Sequence, residues 1–242
     1  LIILGEDKDS IVLTEINSET DFVAKNIEFI NFCSKISEIS LKADSLDSLN
    51  DLKIDEVTVK DSVVNLVSKI GENIKLRRFQ KILKEKFSVA TYIHNKANEH
   101  SGKIVSAIKY NSKNNNSKNL ATNICMHIAA MSPMALNEEG LDAEFVRKEK
   151  TIIEEQIDRD GKKPEILDKI IKGKLIKVIS ENTLLNQKWV IDQDLTVKQA
   201  IKNFNQENSD NFEILNFYRF KVGEGIEIKK MDFSEEVKSL TK

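Results

Sequence analysis

Nucleophilic catalysis, metal binding and phosphate binding each require particular side chains at particular spacings, and this chain meets none of those requirements locally. Cys125 and His127 come nearest to a thiol and its base. Two positions apart on a helix they point to different faces, so a working pair would need a third element folded in; a buried, inert thiol is the expectation for Cys125. His94, His100 and His127 share no two-ligand helical spacing, and neither Cys-x-x-Cys nor His-Glu-x-x-His occurs, so no metal centre is expected. A phosphate-binding loop needs Gly-Lys followed by Ser or Thr, whereas Lys103, Lys162 and Lys174 are followed by Ile104, Lys163 and Leu175. Gly223-Glu224-Gly225 carries Ile228 where a dinucleotide fingerprint places its third glycine, and reads as a turn after a strand. The side-chain chemistry points to neither an enzyme nor a cofactor.

The elements around these residues follow from periodicity. Leu1 to Leu4 and Ile11 to Ile16 are β-rich runs joined by the polar stretch Gly5 to Ser10, a hairpin with a long turn. Apolar residues from Phe22 to Leu41 recur at three-and-four spacing, with Asn26 as the expected N-cap and Asp21 to Lys25 leading in. Asp51 to Ile70 reads as the next helical unit and stops at Gly71, a natural C-cap. Asn73 to Phe79 alternates as a strand. A second hairpin, Phe87 to His94 with Lys103 to Tyr110, is joined by the polar loop Asn95 to Gly102; after the Asn-rich loop Asn111 to Asn119 comes a helix from Leu120 to Met131, ended by Ser132-Pro133. The helix Val197 to Phe204 then precedes the strand Asn216 to Phe220, as Val63 to Ile70 precedes Leu76 to Phe79.

This doubled pattern predicts an α+β fold of two related subdomains, each an antiparallel sheet packed with helices: residues 1–86, and residues 87–140 with 182–242. Residues 141–181 fall outside the plan. Leu141, Phe145, Ile152, Ile153 and Ile157, then Leu167, Ile170, Ile171, Leu175, Val178 and Ile179, give two helical stripes around a turn at Asp160 to Pro164, an inserted antiparallel coiled-coil hairpin. Arms of 16 to 18 residues would project on the order of 25 Å, which suits contact rather than catalysis.

Composition excludes several classes. At 242 residues, 40% hydrophobic, with eight Gly and two Pro, the chain can build a real core. The 37 basic and 39 acidic residues nearly cancel, only five of the basic ones are Arg, and aromatics are 6%, so no direct nucleic-acid partner is expected. The longest stretch without Asp, Glu, Lys or Arg, Asn119 to Asn137, is broken by Asn123, His127, Ser132 and Pro133 and is a poor membrane span. Two isolated cysteines fit a reducing, cytoplasmic compartment, bacterial or an organelle matrix. The first residue is Leu1, and the sequence is expected to begin inside a longer gene product.

The segment Thr20-Asp21-Phe22-Val23-Ala24-Lys25-Asn26 is specific. It resembles the signature of the elongation factor Ts family. Lys69-Ile70-Gly71-Glu72-Asn73-Ile74, Arg77-Arg78, Tyr92-Ile93-His94 and Arg219 to Glu227 are similar to further family signatures in the same order, so the resemblance covers essentially the whole chain. It implies two α+β core subdomains with a coiled coil inserted in the second, as read above, and a small amino-terminal helical module that this sequence lacks. It also implies guanine-nucleotide exchange on elongation factor Tu, bound with GDP or nucleotide-free. The residues implied to meet that partner are Thr20, Asp21, Phe22, Val23, Gly71 and His94, with Phe22 as a wedge near the magnesium-bearing side of the GTPase. Beside this stands an alternative from another class, a scaffold that forms a homodimer through its coiled-coil hairpin.

Overall fold

A computed structural model describes residues 1–157 and 164–226. Two β-rich runs buried on both faces form β1 (Ile2–Glu6) and β2 (Ser10–Asn17), antiparallel with Ile2 opposite Glu15 and Glu6 opposite Ile11. A single 3-10 turn, Val23–Lys25, leads to α1 (Ile27–Ile39), capped as expected by Asn26, whose side chain accepts from the N–H groups of Glu28 and Phe29. Gly5 on β1 lies so close to α1 that a Cβ there would stand 2.3 Å from the Ser37 carbonyl oxygen, so only glycine fits.

The stretch read as one unit from Asp51 to Ile70 is instead three elements. A Ser45 capping box opens α2 (Leu46–Asp51), a two-residue hairpin pairs β3 (Lys53–Ile54) with β4 (Val57–Thr58), and α3 (Val59–Ile70) follows. Asp55, with φ of 57°, makes the hairpin turn, a conformation that Asp tolerates better than most residues. The strand β5 (Lys75–Leu83) then returns beside β2.

The second half holds β6 (Ser88–Asn98), β7 (Ser101–Asn111), α4 (Ser117–Met131), α5 (Ala143–Gln156), α6 (Pro164–Asn182), α7 (Val197–Asn208) and β8 (Glu213–Lys221). The loop expected at Asn95 to Gly102 is mostly strand: β6 and β7 run on to a tip at Glu99 and His100. Polar residues are strand there because the tip docks on the first half, with the Leu4 N–H donating to the His100 carbonyl (2.8 Å) and the Asn98 amide to the Ser34 hydroxyl of α1 (3.3 Å).

The strands of the two halves form one sheet. β1 meets the β7 edge at Gly102 and Ser101, β8 takes the same edge from Ile104 onward, and the order β5-β2-β1-β7-β6 with β8 on β7 makes six strands, all paired antiparallel. One core lies under α1 to α3 around Ile3, Phe29, Ile36 and Leu49, and another under α4 and α7 around Ile108, Ile124, Ile128 and Phe212. A third, with Ile2, Leu4, Ile11, Leu13, Ile82 and Val105, draws on strands of both halves. The architecture is α+β.

α5 and α6 pack on each other, with Leu141, Ile153 and Ile157 buried. Of their expected turn at Asp160 to Pro164, residues 160–163 lie outside the described residues and Pro164 opens α6. The chain leaves and rejoins the second half through paired backbone: the N–H groups of Met134 and Ala135 donate to the Asn182 carbonyl, and that of Leu184 to the Ala135 carbonyl.

Glu15, on β2, is fully buried yet ionised. Arg77 Nη1 approaches it at 2.9 Å, Arg78 Nε donates to the same oxygen, and the Gly223 N–H donates to the other at 2.8 Å. Burial pushes its carboxyl up, but the Gly223 N–H and the two guanidiniums outweigh burial and hold it below its ordinary value of 4.5. Two consecutive Arg side chains reach one carboxylate because the β2–β5 register shifts there: Glu15 lies opposite Arg78 but Ile16 opposite Leu76, leaving Arg77 as the extra residue of a bulge.

Removing one partner of such a buried pair costs about 3–5 kcal/mol, so Glu15→Ala should lower the melting temperature strongly. Because the folded value is depressed, the stabilisation is complete above pH 4.5 and is lost as the pH falls through the folded value. Melting curves of the wild type and Glu15→Gln should therefore converge on acidification below that pH.

Candidate partner-binding site

Asn17 ends β2, and the chain crosses to α1 through Ser18 to Phe22, held mainly by side chains ahead of Phe22. Thr20 donates its backbone N–H to Glu72 Oε2 (2.9 Å) and its hydroxyl to Glu72 Oε1 (2.5 Å), which fastens the loop to the residue just after Gly71. Gly71 ends α3 with φ of 80° and donates to the Val67 carbonyl, a left-handed cap that turns the chain toward the loop. On the other side the Asp21 carboxylate accepts from Lys103 Nζ of β7 at 3.1 and 3.2 Å.

Between these ties Phe22 stands 83% exposed, although aromatic rings of its size normally seek cover. Val23 next to it is 3% exposed and belongs to the core of the first half. One residue thus anchors the loop while its neighbour is offered to solvent. His94 is exposed on β6 opposite Ile104, the residue after Lys103, with its Nδ1 3.2 Å from the Tyr92 hydroxyl. Glu72 therefore ties Thr20 to the residue after Gly71, Lys103 ties Asp21 to β7, Phe22 follows Asp21 along the chain, His94 lies on the adjoining strand, and Val23 faces inward.

Glu72 and Lys103 did not stand out in the sequence as site residues. Glu72 lies within the Lys69 to Ile74 segment, which is its signal in the sequence; Lys103 carries none as a site residue, because its contact with Asp21 crosses 82 positions.

The groups that suggested chemistry are engaged otherwise. Cys33 and Cys125 are buried, and burial pushes the Cys33 thiol up to about 12 and Cys125 well above its usual range, so neither forms a thiolate readily. His127 is buried, its Nδ1 accepting the Val190 N–H (3.2 Å) and its Nε2 donating to Gln187 Oε1 (2.9 Å); burial holds it neutral and below its ordinary value. Among the described residues no group of three His, Cys, Asp or Glu is placed to hold a metal ion, and no helix is long and apolar enough to cross a membrane.

Residues 19–224 match the family model described as Elongation factor TS. Elongation factor Ts of Clostridium kluyveri is 36% identical over 97% of this chain and 78% of its own length. The proteins of the same name from Cereibacter sphaeroides and Roseobacter denitrificans are 40% and 38% identical, over 93% and 96% of this chain and 74% and 76% of theirs.

The opposite fates of two neighbours are measurable. Val23→Ala should cost about 2 kcal/mol of stability through lost core packing, whereas Phe22→Ala should stay within about 0.5 kcal/mol of the wild type. Gly71→Ala, strained at positive φ but with open space around its Cβ, should cost about 1 kcal/mol. Thermal denaturation of the three variants checks the order.

Proposed function

The chain belongs to the elongation factor Ts family, and from that premise we propose that it is the guanine-nucleotide exchange factor of elongation factor Tu, acting without catalytic residues or a cofactor in the bacterial cytoplasm. The observation that carries the proposal is the exposed Phe22 ring on a tethered loop. A GTPase holds GDP through backbone donors around the β-phosphate and through Mg²⁺. An exchange factor need only bind the empty state better than the loaded one. Phe22 does this as a wedge: seated between helices beside the magnesium site, it displaces the metal-holding elements, and Asp21 trades Lys103 for a group on the partner. Thr20, Gly71 and His94 border the same contact, while Val23 supports it from the core. The second half holds a different domain of the partner and supplies the remaining affinity.

Burying one Phe side chain contributes roughly 1.5–3 kcal/mol, enough to change exchange but not to replace the rest of the interface. By linkage, whatever factor this protein imposes on GDP affinity, GDP imposes on this protein, so the stable complex is nucleotide-free and a metal bound by the GTPase opposes it.

The second reading, a scaffold dimerising through its hairpin, draws on Ile152, Ile166 and Ile176, which are exposed on α5 and α6. Bridging residues 140 and 182 with a short Gly-Ser linker separates the two. The exchange reading expects Phe22-dependent GDP release to survive that deletion, and the scaffold reading expects only a loss of self-association.

Release of a fluorescent GDP from elongation factor Tu, chased with unlabelled GDP, is the direct test. This protein should accelerate release, and Phe22→Ala should slow the accelerated rate about 10- to 100-fold with an unchanged melting temperature. Wild-type exchange by a stable Phe22→Ala protein would remove the wedge.

A further inference from the structure

We propose that Glu72 is a positioning residue, whose carboxylate holds the Phe22 loop in the conformation that meets the partner; the proposal rests on the partner-binding reading of Phe22. An aromatic ring as exposed as Phe22 takes its direction from its backbone and its own rotamer rather than from packing. On the carboxyl-terminal side of Phe22 that backbone is fixed by Val23 in the core and by the 3-10 turn, in which the Lys25 N–H donates to the Phe22 carbonyl at 3.0 Å. On the amino-terminal side the fixed point is Thr20, where both available donors, N–H and hydroxyl, end on the two oxygens of Glu72. Lys103 adds a weaker tie at Asp21, since an ammonium is a rotatable point charge and both groups are largely exposed.

The Thr20–Glu72 tie contributes little to global stability, because Thr20 is exposed and such surface contacts are worth little. It joins residues 52 positions apart, and what it fixes is the residue two before the ring. Without it, the residues ahead of Phe22 would have to be ordered at the moment of docking, and apparent affinity would fall by the fraction of molecules already in the docking conformation. That predicts a characteristic split. Loss of the tie raises the concentration of partner needed for half-maximal exchange and leaves the rate inside the complex alone.

Three variants and two readouts test this. Glu72→Ala should raise KM for elongation factor Tu about tenfold at unchanged kcat. Glu72→Gln, whose carboxamide oxygen accepts the Thr20 N–H and whose amide donates to the Thr20 hydroxyl, should rescue KM to within about twofold of the wild type. Thr20→Val, which keeps only the N–H arm, should fall between them. Independently of any exchange assay, amide hydrogen exchange at Thr20 to Phe22 should quicken in Glu72→Ala, while the Phe29 and Ile36 amides of α1 stay protected.

An unchanged KM in Glu72→Ala, with or without faster amide exchange, overturns the proposal, as does a fall in kcat at unchanged KM or a Glu72→Gln protein as impaired as Glu72→Ala. If Phe22→Ala is itself silent in exchange while the amides of Glu72→Ala still loosen, the failure belongs to the partner-binding reading, since the tie is then present and has no such partner to serve.

Discussion

Glu15 lies out of solvent on β2, where burial alone would neutralise it; it stays charged because Arg77, Arg78 and the Gly223 N–H converge on its two oxygens. Those groups come from two parts of the sheet. The arginines are on β5, and Gly223 follows β8, so one carboxylate joins the edge strand of the first half to the turn after β8 in the second. Arg78 extends the tie, donating to the Lys221 carbonyl at 2.7 Å and lying over the Phe220 ring at 4.5 Å. Arg219 closes it on Glu224 at 2.6 Å. An apolar replacement of the set would pack as well or better. A charged set adds direction, since it is satisfied only when strands from both halves are in one register.

That register is what places the Phe22 loop. β2 ends at Asn17 beside the bulge that admits both arginines, and the chain leaves the sheet there toward α1. β7, which supplies Lys103, is brought alongside by its pairing with β1 at Ser101 and Gly102. The loop thus rests on the seam between halves, with Glu72 from the first and Lys103 from the second. A ring presented from a seam is aimed by both halves at once.

Much of this was legible in the sequence, and the reason differs by element. The β1–β2 hairpin, α1 with its Asn26 cap and the Gly71 stop carry local signals: two β-rich runs around a polar turn, a three-and-four stripe, an Asx cap and a left-handed glycine. The polar residues Asn95 to Gly102 predict a loop at the β6–β7 tip, whereas the strands run on there and dock on Ser34 and Leu4, contacts that no local pattern records. The merging of two sheets into one depends on two pairs between β1 and β7, about a hundred positions apart. At the site, Phe22 was found through the motif around it, since an isolated Phe at the start of a helix reads as core. Val23 shows the limit of that route: a motif groups residues that the fold then turns in opposite directions.

The paired backbone where α5 and α6 depart and return has a consequence for length. Ala135 and Thr183 are bridged, and the Gln187 side chain, reaching the Met131 and Glu181 carbonyls at 3.3 and 2.8 Å, closes the same neck. Everything beyond the neck is a loop whose ends are already together, and closing a loop twice as long costs only about 0.6 kcal/mol more. The reach of the arm is therefore nearly decoupled from the stability of the sheet below it. Helical turns added to or removed from both α5 and α6 would change its reach and leave the neck as it is, much as a telescoping mast changes height on an unaltered footing.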